Sequence, residues 1–194
     1  MTSSFFSLGN AIRATILFGL FIILFVLVQS CQAPKTGLDR FAVGSLKKLT
    51  VRESPPLPPK TVFTAADGRE LTLESLRGKT VVLNVWATWC PPCIKEMPSL
   101  DNLQAQRGGD DFEVITISID RTKYEPAKFF TDNEINNFAP YHDGSYGIPG
   151  NLRLQGYPTT LIYGPAGNEI AYLEGEAEWD SAEALALVDY LTGK

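Results

Sequence analysis

The chain reads as an α/β domain, a mixed central sheet flanked by helices, set behind an apolar N-terminal segment. Three observations predict this. Short apolar runs alternate with amphipathic stretches after residue 60, two turn signals there separate pairs of strand-like runs, and residues 14–30 carry no charge. Strands that alternate with helices form a sheet covered by helices.

Taken in order, residues 61–64 and 70–73 flank Asp67-Gly68, a strong hairpin signal. Residues 81–86 (VVLNVW) are a nearly continuous apolar run, as in a strand buried on both faces. Cys90-Pro91-Pro92-Cys93 follows, and then a helix to about residue 106 with Met97, Leu100 and Leu103 on one side. Residues 112–119 form a second strand, with Ile115, Ile117 and Ile119 on one face. Glu125-Pro126 opens a helix, because proline suits the first helical turn. Residues 160–163 and 170–173 pair across Gly164-Pro165-Ala166-Gly167. Asp180 with Glu183 reads as a capping-box variant before a final helix striped by Ala184, Leu187, Val188 and Leu191. The folded domain is therefore expected over 61–194.

Residues 1–31 are expected to be a signal anchor or transmembrane segment. Extended to Pro34, the uncharged stretch reaches the ~20 residues that cross a bilayer as a helix. Three fates fit: an uncleaved anchor, a cleaved signal peptide, or a lipoprotein signal with lipidation at Cys31. Val28-Gln29-Ser30-Cys31 is similar to a lipobox, although Gln29 stands where a small residue is usual. Arg13 precedes the span while Lys35, Arg40, Lys47 and Lys48 follow it, a bias that opposes translocation. Long domains translocate largely regardless of charge, so an extracytoplasmic domain stands against that bias. Residues 32–60 read as a linker. They end in Ser54-Pro55-Pro56-Leu57-Pro58-Pro59, which favours an extended spacer.

The net charge of -5 and the lack of a basic run exclude nucleic acid as the main partner. Three cysteines make no disulfide framework, and a single histidine excludes a His-rich metal site. His142 reads as a loop residue without a catalytic role. The chemistry concentrates at Cys90 and Cys93. The first cysteine of a C-x-x-C pair lies over a helix N-terminus, where unpaired N–H groups and the macrodipole favour thiolate. Cys90 is then the nucleophile and Cys93 the resolving thiol, the two closing into a redox-active disulfide. Pro91 and Pro92 stiffen the loop without costing helix bonds. A zinc site would need ligands beyond Cys31 and His142. A purely structural bridge closing so short a loop would stabilise little.

Residues 81–97 (VVLNVWATWCPPCIKEM) resemble the active-site segment of thioredoxin-fold proteins, with Trp89 before the first cysteine and Pro98 five residues after the second. Within that superfamily the chain resembles the membrane-attached TlpA/ResA/CcmG group of thiol–disulfide interchange proteins. Asn84, Glu96 and the leading Leu76-Arg77-Gly78-Lys79 carry that likeness, and Gly175-Glu176-Ala177-Glu178-Trp179 is similar to TlpA more narrowly.

The resemblance implies a thioredoxin-like fold with an N-terminal hairpin and a TlpA-type insertion between the second β-α unit and a cis-proline loop. Gly156-Tyr157-Pro158-Thr159 matches that loop, so Pro158 is expected to be cis and to face Cys90, with the Tyr157 backbone docking substrate. Trp86 and Trp89 are expected around the site. Glu96 has two readings, pKa tuning of the thiols or a solvated helix residue.

The implied activity is thiol–disulfide exchange by a reductant, with no cofactor. The implied partners are protein disulfides of copper-site assembly proteins or apocytochrome c, and a transmembrane thiol-reductant donor. The implied location is the inner membrane, with the catalytic domain in the periplasm. A dithiol oxidant and a copper-binding chaperone on the same fold are the alternatives.

Overall fold

The computed structural model describes residues 12–24 and 37–194. Residues 12–24 form helix α1, whose Ile16, Leu17, Phe18, Leu20 and Leu24 side chains are exposed. No helix among the described residues is long and apolar enough to cross a membrane. The expected span over 14–30 lies partly outside the described residues, and Cys31 lies wholly outside them.

From Gly37 to Lys194 the chain is one compact unit. Among the described residues, eight strands form a single sheet in the order β1-β8-β7-β4-β5-β6-β2-β3. These are β1 (Thr50–Val51), β2 (Val62–Thr64), β3 (Glu70–Thr72), β4 (Thr80–Trp86), β5 (Phe112–Ser118), β6 (Pro140–His142), β7 (Thr159–Tyr163) and β8 (Glu169–Glu174). The helices are α2 (Pro91–Arg107), α3 (Tyr124–Asp132), α4 (Gly147–Leu152) and α5 (Ala182–Thr192). Strand β4 is the centre of the sheet. It runs parallel to β5 and antiparallel to β7, and all seven of its residues are buried. A strand so enclosed needs apolar residues on both faces, which VVLNVW supplies.

The expected hairpin forms, with Val62 opposite Thr72 and Thr64 opposite Glu70. Gly68 at φ 87° takes the left-handed turn position that favours glycine. Trp86 closes β4 as core packing, stacked on Phe130 of α3 with ring centroids 5.7 Å apart. The final helix is capped by Ser181, whose side chain accepts from the Ala184 amide, rather than by Asp180. The shorter serine begins the helix one residue later and meets an N3 amide directly. His142 ends strand β6 instead of lying in a loop, because β6 extends the parallel edge beside β5.

The linker expected over 32–60 is folded from residue 37 onward. Two short 3-10 turns, Gly37–Phe41 and Gly44–Leu46, lead into β1, which pairs with β8. Phe41, Leu46 and Leu49 are buried, with Leu46 wholly inaccessible. Ser45 donates its amide to Glu183 Oε1 at 2.8 Å, tying this segment to α5. The proline run lies along the sheet, where the Pro56 carbonyl accepts from the Glu169 amide at 2.9 Å and Pro58 is buried. Burial of three apolar side chains ahead of the proline run, each worth about 1.5–3 kcal/mol, holds this segment to the domain.

Candidate active site

The site begins where β4 ends. The chain leaves Trp86, turns through Ala87-Thr88-Trp89, and enters α2 with Cys90 as its N-cap residue. Pro91 and Pro92 fill the first helical positions, where an amide would be unpaired in any case. Cys90 and Cys93 are joined in a disulfide with their Cα atoms 5.3 Å apart. Cys90 retains 5% of its surface and Cys93 none. The more accessible cysteine therefore stands at the helix end that stabilises an anion.

The Tyr157–Pro158 peptide is cis. Tyr157 meets the Trp89 ring edge-on, with centroids 6.0 Å apart, which brings the Pro158 loop to the Cys90 turn. Trp89 is 58% exposed, so it presents an apolar surface beside the disulfide. An open groove of about 590 Å³ runs from Gly156 and Tyr157 past Gln155, Lys48, Thr50, Tyr172, Glu174 and Gly175. The residues expected at the site thus fall into two groups that touch: Trp89, Cys90, Pro91, Pro92 and Cys93 on the β4–α2 turn, and Tyr157 with Pro158 opposite.

Glu96 is not a solvated helix residue. It lies one turn beyond Cys93 and is 2% exposed. Its Oε1 accepts from Asn84 Nδ2 at 2.7 Å. Its Oε2 accepts from the Ala177 amide at 3.1 Å and the Trp179 indole at 3.2 Å. Burial pushes the Glu96 carboxyl up to about 7, against the pull of these three donors, and the nearby Glu176 charge adds to the rise. The Asn84 amide also donates to Thr160 Oγ1 at 2.9 Å, so β4, β7 and α2 meet at this group. Ala177 and Trp179 were visible in the sequence only as part of a family-like segment, and nothing local announced that they hold a carboxylate.

A disulfide over a helix N-terminus, faced by a cis-proline loop and backed by a buried carboxyl, is suited to exchanging electrons with other disulfides. Comparison with known proteins decides the lineage. Residues 52–182 match the Redoxin family. The chain is a Redoxin-family protein. Among its relatives is thioredoxin-like protein YneN of Bacillus subtilis, 30% identical over 139 residues, covering 68% of this chain and 77% of YneN. Thiol-disulfide oxidoreductase ResA of Oceanobacillus iheyensis is 29% identical over 130 residues, covering 67% of each chain. The structure of a thiol:disulfide interchange protein DsbE from Chlorobium tepidum superposes with a TM-score of 0.65 at 21% identity, over 73% of this chain and 99% of that one. That likeness establishes the thioredoxin-like fold. With its Cys90–Cys93 disulfide on this fold, this Redoxin protein is a thiol–disulfide oxidoreductase of the TlpA/ResA/CcmG type.

Proposed function

We propose that the chain is a membrane-anchored reductant of protein disulfides, held in the inner membrane by residues 1–31 with its catalytic domain in the periplasm. The buried Glu96 carboxyl is the observation that carries the direction. A dithiol becomes a strong oxidant when its reduced form is stabilised. A carboxylate one helical turn beyond Cys93 does the reverse, because like charge opposes thiolate. Reduced Cys90 attacks a substrate sulfur, its partner sulfur leaves as a thiolate, and Cys93 then displaces the substrate from the mixed disulfide. Two electrons pass to the substrate, and Cys90–Cys93 is left oxidised. A transmembrane thiol donor must restore it.

The exposed apolar side chains of α1 and the uncharged run over 14–30 support the anchor. The Val28-Gln29-Ser30-Cys31 sequence supports lipidation as its variant form. The resemblance to the TlpA/ResA/CcmG group supports copper-site assembly proteins or apocytochrome c as substrates. The groove beside Gly156 and Tyr157 offers a place for an extended substrate segment. The test is protease treatment of spheroplasts expressing the full chain, with substrate disulfides assayed in the same cells. A protease-sensitive domain whose loss leaves periplasmic thiols oxidised supports the proposal. A protected domain overturns the location, and unchanged thiols overturn the reductant role.

A further inference from the structure

Asp120 lies just beyond β5, its side chain wholly buried. The Thr88 amide donates to both of its carboxylate oxygens at 3.1 Å. Thr88 Oγ1 donates to Oδ1 at 2.8 Å, and Ser118 Oγ donates to Oδ2 at 2.7 Å. Its own amide donates to Ser118 Oγ at 3.0 Å, and its carbonyl accepts from His142 Nε2 at 2.8 Å. A buried carboxylate is costly unless it is so satisfied, and each bond to a charged group is worth about 1.5–3 kcal/mol. Three of these bonds end on Thr88, two residues before Cys90. The turn is further closed by the Cys90 amide donating to the Ala87 carbonyl at 3.1 Å and the Ile119 amide donating to the Trp86 carbonyl at 3.0 Å.

We infer that Asp120 is a positioning residue for the nucleophile: gripped by Ser118 and His142, it pins Thr88 and so fixes the turn that presents Cys90 to Cys93. The inference rests on the exchange reaction proposed above and adds to it a residue that touches neither sulfur. Closing Cys90 and Cys93 into a disulfide requires the two thiols to be held together, whereas the dithiol form has no such requirement. Releasing the turn therefore weakens the disulfide relative to the dithiol.

The test is the equilibrium of Cys90–Cys93 with glutathione in the full chain, measured alongside exchange with a small disulfide. The wild-type chain must first exchange at all, and if it does not, the proposed reaction fails rather than this inference. Asp120→Ala is expected to shift the equilibrium about tenfold or more toward the dithiol. Thr88→Val, which removes only the hydroxyl donor, is expected to shift it about fivefold in the same direction, and Thr88→Ser to restore it. A merely structural carboxylate would lower the melting temperature without moving this ratio. A folded Asp120→Ala variant within about twofold of wild type overturns the inference. Should Asp120→Ala fail to fold, Thr88→Val decides: an unchanged ratio overturns the inference, and a shift abolished by Thr88→Ser supports it.

Discussion

Glu96 on α2 accepts a 2.7 Å hydrogen bond from Asn84 on β4, and both side chains are buried. This pair places an ionisable group between α2 and the sheet, one helical turn from Cys93. Its folded pKa of about 7 lies above the ordinary value of 4.5, so the folded state holds a proton that the unfolded chain has released across that window. The Glu96 contribution to stability is then full below pH 4.5 and is lost as pH rises through 7, by on the order of 3 kcal/mol. Urea denaturation of Glu96→Gln across this range is expected to lack that fall.

The same substitution tests the tuning of the thiols. Above pH 7 the ionised Glu96 opposes a thiolate at the active site. Glu96→Gln removes the charge and keeps the size, so the midpoint for alkylation of Cys90 in the reduced protein is expected to move to lower pH. Iodoacetamide rates across the pH range measure it.

Cys90 keeps a small exposed surface and Cys93 has none. A thiol probe is expected to label Cys90 first in the reduced domain. Cys93→Ser should then accumulate mixed disulfides with substrate, seen on a non-reducing gel. Accumulation in Cys90→Ser instead would reverse the two roles.

Leu46 is wholly buried although it precedes the proline run. Leu46→Ala is expected to destabilise the domain by about 2–5 kcal/mol, as for other core leucines. Urea denaturation of the full chain measures this. A change near zero would mean that residues 37–52 are not part of the folded unit.

What the sequence could reveal follows from how local each signal was. The β4 run, the Asp67-Gly68 hairpin and the Cys90-Pro91-Pro92-Cys93 turn are specified by neighbouring residues, and the structure has all three. Residues 37–52 carry no period of 2 or 3.6, because short 3-10 turns leave none, and so they read as linker. Helix α4 contains Gly147, Pro149 and Gly150, poor helix formers that gave no signal. The burial of Glu96 depends on Ala177 and Trp179, more than 80 positions away along the chain. Asp120 likewise finds its main donor 32 positions back, at Thr88. Pairings of that span are set by the folded sheet and not by any local pattern.

The reduction potential of the Cys90–Cys93 couple tests the reductant role most directly. It is measured by equilibrating the full chain with glutathione buffers and trapping the thiols with acid. A buried carboxylate that disfavours thiolate leads us to expect a potential below about −220 mV, in the range of reducing thioredoxin-fold proteins. A potential near about −120 mV, as for a strong dithiol oxidant, would contradict it.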